Sequence, residues 1–150
     1  MSTYRAPWWL PGGHLQTLAA VLAPKPRIAW RRERWETPDG DFIELDWGGG
    51  DGPLLALFHG LEGGSSSHYA RSIAALALER GWRCVVPHFR GCSGVLNRKA
   101  RAYHSGDTEE LDWILRRLRP ECAAGVSLGG NVLLKWLGER GAEGPRLLRR

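Results

Sequence analysis

The chain contains Gly125-Val126-Ser127-Leu128-Gly129, a G-x-S-x-G pattern that fits a serine held on a tight turn between a strand and a helix. Glycines at both ends let strand and helix approach closely, which forces the serine into an unfavourable backbone conformation with its hydroxyl projecting into a cleft. A serine so placed attacks acyl carbon. That attack builds negative charge on the carbonyl oxygen, and backbone N–H groups fixed before the reaction stabilise it best. Leu128, directly after the serine, offers one such donor. Leu61, in the glycine loop His59-Gly60-Leu61-Glu62-Gly63, offers a second. With 20 glycines in 150 residues the pentapeptide alone discriminates weakly, so the elements around it must carry the reading.

Those elements alternate. Ile28 to Glu36 reads as a strand, Pro38-Asp39-Gly40 as a turn, and Ile43, Leu45 and Trp47 alternate with Glu44 and Asp46 on a second strand, which makes an amphipathic hairpin. Leu54 to Phe58 is continuously apolar, as a strand covered on both faces should be. A helix follows from Ser66 or Ser67 as cap, with Tyr69, Ile73 and Leu76 along one face and Gly81 at its end. Trp82 to Val86 is the next strand. Asp107 and Glu110 resemble a capping box for a helix carrying Leu111, Leu115 and Leu118, which Pro120 stops. Cys122 to Val126 is a strand of small residues, and Leu128 to Arg140 a helix carrying Val132, Leu133, Trp136 and Leu137. The series predicts one α/β domain: an antiparallel hairpin, then mostly parallel strands with helices on both faces. Ser127 falls at a strand-to-helix junction, and Leu61 on the loop after the third strand.

Composition agrees with a packed protein. Apolar residues make up 43% and charged residues 25% of the sequence, proportions of a globular domain rather than a disordered or fibrous chain. The longest apolar runs, Leu18 to Ala23 and Ile73 to Leu78, are six residues each, far short of the roughly 18 that span a bilayer, and Pro7 and Pro11 interrupt any signal-like start. Three cysteines without a C-x-x-C pair point to a reduced, cytoplasmic setting. The +5 net charge raises nucleic-acid binding through Arg31, Arg32, Arg34 and the arginines near Pro120. No nucleic-acid motif accompanies them, and arginines in a last helical turn complement the helix dipole, so no nucleic-acid partner is expected.

Several blocks resemble the YheT-like AB hydrolase 4 family of the α/β-hydrolase superfamily, whose members are esterases and lipases. They are Pro11 to Thr17 (PGGHLQT), Phe58 to Gly64 (FHGLEGG), His88 to Gly94 (HFRGCSG), Tyr103 to Gly106 (YHSG) and Gly125 to Asn131 (GVSLGGN). The resemblance covers about residues 10–141 and implies an α/β-hydrolase fold. It also implies hydrolysis of carboxylic esters or acylglycerols by a serine, histidine and aspartate triad, with Ser127 as nucleophile, a small ester or lipid as substrate, and no metal or organic cofactor. The sequence departs from that pattern after the serine, because residues 128–150 contain neither Asp nor His and only Glu139 and Glu143 as acids. The expectation is therefore a partial domain over residues 1–150 with an atypical tail at 142–150, where Arg146, Arg149 and Arg150 cluster. It should show weak activity, poor solubility and self-association through an exposed sheet edge. The alternative is a non-catalytic binding module derived from the same fold.

The remaining reactive side chains have plainer readings. His59 precedes the serine and supports its loop by hydrogen bonding; His88 and His104 sit on loops from which either could replace the missing base. Cys92 is a packed loop thiol unless a positive neighbour lowers its pKa. Ser65, Ser66 and Ser67 cap a helix rather than bind phosphate, for the G-x-x-x-x-G-K-[ST] loop is absent. Trp8 and Trp9 pack at a core or interface, or rest on a lipid surface.

Overall fold

A computed structural model describes residues 5–148; Arg149 and Arg150 of the basic tail lie outside them. Helix α1 spans Gly13–Leu22, and the sheet follows with β1 (Arg31–Glu36), β2 (Phe42–Gly48) and β3 (Leu54–Phe58). Helix α2 (His68–Glu79) leads to β4 (Arg83–Pro87), α3 (Thr108–Leu118), β5 (Cys122–Gly125) and α4 (Leu128–Arg140). A 3-10 turn at Gly141–Glu143 and the short α5 (Gly144–Leu147) occupy most of the described part of the tail read as atypical.

The five strands order as β1-β2-β4-β3-β5. Strand β2 is antiparallel to both β1 and β4, whereas β3 runs parallel to β4 and to β5. The predicted hairpin and parallel strands are therefore present, and β3 sits between the other two parallel strands as its unbroken apolar run requires. Strand β5 closes the row. Its pairing with β3 runs from Leu55 opposite Cys122 to Phe58 opposite Gly125, and no strand pairs with its other side among the described residues.

Helices cover both faces. Ala70, Ala74 and Ala77 of α2 are buried against Leu57, Cys84 and Val86, since a stripe of methyl groups lets the helix axis come close to the sheet. This corrects the sequence reading of that helix: Leu76 is half exposed, and Tyr69 and Ile73 lie at the edge of the contact. On the opposite face Leu111, Ile114 and Leu115 of α3 and Val132 and Trp136 of α4 pack against Ile43, Leu45, Phe58 and Val85, so the helical spacing read for both elements holds.

Two helix starts differ from expectation. Ser67 and Asp107 occupy the N-cap positions, yet neither side chain bonds its own helix. The Ser67 hydroxyl accepts from the Gly64 amide at 3.2 Å, and Asp107 pairs with Arg101 at 2.7 Å. Glu110, the other half of the expected capping box, reaches Arg90 instead at 2.6 Å. Ser67 and Asp107 bond the loops that precede their helices, and Glu110 takes a partner 20 residues away. The hairpin's acidic face is likewise buried rather than solvated: Glu44 and Asp46 are covered by Arg34 and Arg32.

Candidate active site

The chain leaves β5 at Gly125 and enters α4 at Leu128, and Ser127 takes φ 51° and ψ −112° between them. A non-glycine residue at such a φ is strained by about 1–3 kcal/mol, and the surrounding backbone leaves no alternative. A Cβ on Gly125 would lie 2.6 Å from the Gly129 carbonyl, so strand and helix touch where the sequence pattern requires glycine. The Ser127 side chain is exposed. It stands at the N-terminus of a 13-residue helix, whose unsatisfied amides favour negative charge.

The glycine loop comes up beside it. Gly60 is so close to the elbow that a Cβ there would meet Ser127 Cβ at 3.4 Å. The loop is a tight turn closed by the Gly63 amide donating to the Gly60 carbonyl at 3.0 Å, with Glu62 at φ 52°. The amides of Gly60 and Glu62 donate to the hydroxyls of Tyr69 and Tyr103, at 2.9 and 3.0 Å, and the Gly129 amide donates to the carbonyls of His59 and Val126. Leu61 and Leu128, the two residues singled out from the sequence, have no acceptor for their amides among the described residues. The structure thus brings Ser127 beside the loop that carries Leu61.

The histidines do not gather at the serine. His59 is fully buried; its Nδ1–H donates to the Gly60 carbonyl at 2.7 Å while Nε2 accepts from the Phe89 amide at 3.0 Å. Burial pushes its pKa down to about 4, so it is a neutral brace with both nitrogens engaged, as the sequence reading held. His88 Nε2 lies 2.9 Å from Asp46 Oδ2, and the same carboxylate takes a hydrogen bond from Ser65 at 2.5 Å and two from Arg32. Burial alone would raise the Asp46 pKa, but those donors hold it well below the carboxylate range. Ser65 is therefore a buried partner of Asp46 and not part of an anion site. His104 Nδ1 accepts from the Gly106 amide at 3.1 Å. Neither loop histidine is shown as a replacement base.

Burial pushes the Cys92 pKa up, which fits a packed thiol and opposes a reactive one. Arg31, Arg32 and Arg34 form ion pairs with Glu33, Asp46 and Glu44, so they do not make a free basic stripe. Trp8 and Trp9 are 91% and 63% exposed and thus do not pack in the core. The sequence reading missed Tyr69 and Tyr103 as loop partners; Tyr103 reaches Glu62 across 41 residues, a separation no local pattern encodes.

No family model matches the chain. It is 44% identical over 144 residues to the "Putative esterase YheT" of Escherichia coli (strain K12), an alignment covering 88% of this chain and 42% of that protein. It is 34% identical over 160 residues to the human "Phospholipase ABHD3", covering 95% of this chain and 39% of that one. The chain spans about two fifths of the length of these curated relatives. Among solved structures it resembles a thioesterase domain from the curacin biosynthetic pathway with a TM-score of 0.64, at 20% identity over 75% of this chain and 42% of that one. It also resembles the esterase Est22 with a TM-score of 0.56, at 17% identity over 81% of this chain and 41% of that one.

Proposed function

We propose that this α/β-hydrolase chain, a relative of the YheT-like esterases, carries the nucleophile and oxyanion portion of a serine hydrolase acting on carboxylic esters or acylglycerols. The observation that supports this most is Ser127: an exposed hydroxyl at positive φ, at a helix N-terminus, beside a loop whose Leu61 amide has no acceptor among the described residues. In the proposed step Ser127 Oγ attacks the ester carbonyl carbon. The carbonyl π pair moves to oxygen, and the amides of Leu61 and Leu128 receive that charge; collapse then expels the alkoxide and leaves an acyl-serine. The Ser127 proton needs a base. His59 cannot take it, since both of its nitrogens are engaged, and residues 128–150 offer no histidine. Acyl transfer by this chain alone is accordingly expected to be slow, with the proton passing to solvent.

A second reading is a binding module that keeps the elbow without turnover, favoured by the same engagement of the histidines. A fluorophosphonate probe separates the two. Labelling of the wild-type chain that disappears in Ser127→Ala supports the hydrolase, and an unlabelled wild-type chain supports the module. The open side of β5 is the basis for proposing self-association; sedimentation velocity over a concentration series tests it, and a monomer throughout would remove it. Among the described residues no helix is long and apolar enough to cross a membrane. A cytoplasmic setting is proposed from the three free thiols.

A further inference from the structure

We infer that Tyr69 and Tyr103 are positioning residues that set the Leu61 amide as an oxyanion donor, an inference that rests on the Ser127 reading. The two hydroxyls grip the backbone on either side of Leu61: Tyr69 accepts from the Gly60 amide at 2.9 Å, and Tyr103 from the Glu62 amide at 3.0 Å. They approach from separate parts of the fold, one on α2 and the other on the segment before α3. Among the described residues Leu61 is left as the uncommitted donor between two committed ones.

The grip answers a specific strain. Glu62 holds φ 52° without being glycine, at the third position of a turn that ordinarily takes glycine or asparagine there. Tyr103 fixes that residue at two points, because its hydroxyl also donates to Glu62 Oε1 at 2.9 Å. Burial pushes the Tyr103 pKa up to about 12, so the hydroxyl keeps its proton for that second bond. The ring is held in turn, stacked on Phe89 with centroids 5.4 Å apart and planes 10° from parallel. Tyr69 has its own accommodation: a Cβ on Gly63 would fall 2.5 Å from its hydroxyl, so glycine at that position makes room for the clamp.

The segment that carries Tyr103 also reaches the elbow helix. Asn131 Nδ2 donates to the Ser105 carbonyl at 2.8 Å, and the Asn131 amide bonds the Ser127 carbonyl at 2.9 Å. One short stretch therefore ties the Leu61 loop to the turn bearing the nucleophile, which fixes donor and serine relative to each other.

The test uses the full chain with Tyr69→Phe, Tyr103→Phe and the pair Tyr103→Phe with Glu62→Gly, read by fluorophosphonate labelling of Ser127 and by amide hydrogen exchange. Each phenylalanine variant is expected to lower the maximal labelling rate about 10-fold while leaving the half-saturating probe concentration unchanged, a modest share of the full loss of one oxyanion donor. Adding Glu62→Gly to Tyr103→Phe is expected to restore most of the rate, because glycine adopts the positive φ without help. Exchange at the Gly60 amide should quicken in Tyr69→Phe, and at the Glu62 amide in Tyr103→Phe, with core amides unchanged. Unaltered labelling and exchange in both variants, or faster exchange with an unaltered labelling rate, overturns the inference. If the wild-type chain is not labelled at all, the Ser127 reading fails by itself, and the exchange data alone then decide whether the clamp exists.

Discussion

The Gly129 amide donates to the His59 carbonyl across 3.1 Å, and a Cβ on Gly129 would stand 2.6 Å from that same oxygen. The first turn of α4 thus rests directly on the end of β3, and the elbow and the Leu61 loop share one backbone contact. Neither partner can yield, because both are main chain. Gly129→Ala is expected to cost about 3 kcal/mol. Gly138→Ala, on the same helix with nothing within 4 Å of its added carbon, is the control and is expected to gain about 0.5–1 kcal/mol. Thermal unfolding measures both, at roughly 2–4 °C per kcal/mol for a chain of this size. An unchanged melting temperature in Gly129→Ala would contradict the contact.

Ser127 itself stores strain, with φ at 51°. Ser127→Gly removes the conformational penalty along with the nucleophile, and should stabilise the chain by about 1 kcal/mol while abolishing fluorophosphonate labelling. Ser127→Ala should abolish labelling without that gain, since alanine has the same Cβ. Equal denaturation midpoints for the two variants would mean the turn is not strained.

Arg90 is the buried hub between three parts of the fold. Its guanidinium meets Glu110 of α3 at 2.6 Å, and Asp39 and Asp41 of the hairpin at 2.9 and 3.0 Å, with its side chain only 3% exposed. Burial opposes the charge, but these acids raise its pKa further. Lysine has one ammonium where arginine has a planar fork, so Arg90→Lys strands at least one buried carboxylate. A loss of about 3 kcal/mol in urea unfolding is expected; a loss under about 1 kcal/mol would show that the cluster is not coupled to folding.

The elements differ in how plainly their residues announce them. Strand β3 and helix α4 carry their boundaries in plain sequence, Leu54 to Phe58 by unbroken apolarity and Leu128 to Arg140 by the elbow pentapeptide at its start and Gly141 at its end. Helix α1 does not. Its N-cap is Gly12, no side chain caps it, and Leu15, Leu18 and Leu22 are exposed, so the usual start signal is missing and these three leucines mark no buried stripe. The polar contacts were hidden for another reason. Glu110, Asp107 and Ser67 each carry a local capping signature, yet each bonds outside its helix; for Glu110 the buried bond to Arg90 is stronger than a solvent-facing cap. At the site, Ser127 and Leu128 follow from the pentapeptide and Leu61 from its loop, whereas the tyrosine hydroxyls depend on contacts between distant segments.

Acid weakens the brace beneath the Leu61 loop. His59 is neutral and buried, with a pKa lowered by burial to about 4 against an ordinary 6.5. In the unfolded chain it takes up a proton near pH 6.5, and in the folded chain only near 4, so the unfolded state binds more protons between those values. Stability from this group is therefore complete above about pH 6.5 and is lost as pH falls towards 4, by roughly 3 kcal/mol at most. The carboxylates lowered by arginine partners, Asp46 among them, begin to lose their contribution below about pH 5, where the unfolded chain starts to protonate them, so His59 dominates the decline between about 6.5 and 5. Glu110 works in the opposite sense: burial raises its pKa, which favours the folded state as pH falls and trims the net loss. Urea midpoints measured from pH 7.5 to 4 should decline chiefly below 6.5, and His59→Gln should flatten the decline while lowering the plateau, since glutamine cannot both donate to Gly60 and accept from Phe89 along the same ring axis. An identical pH slope in His59→Gln would assign the acid sensitivity to other groups and remove His59 as the neutral brace beneath the Leu61 loop.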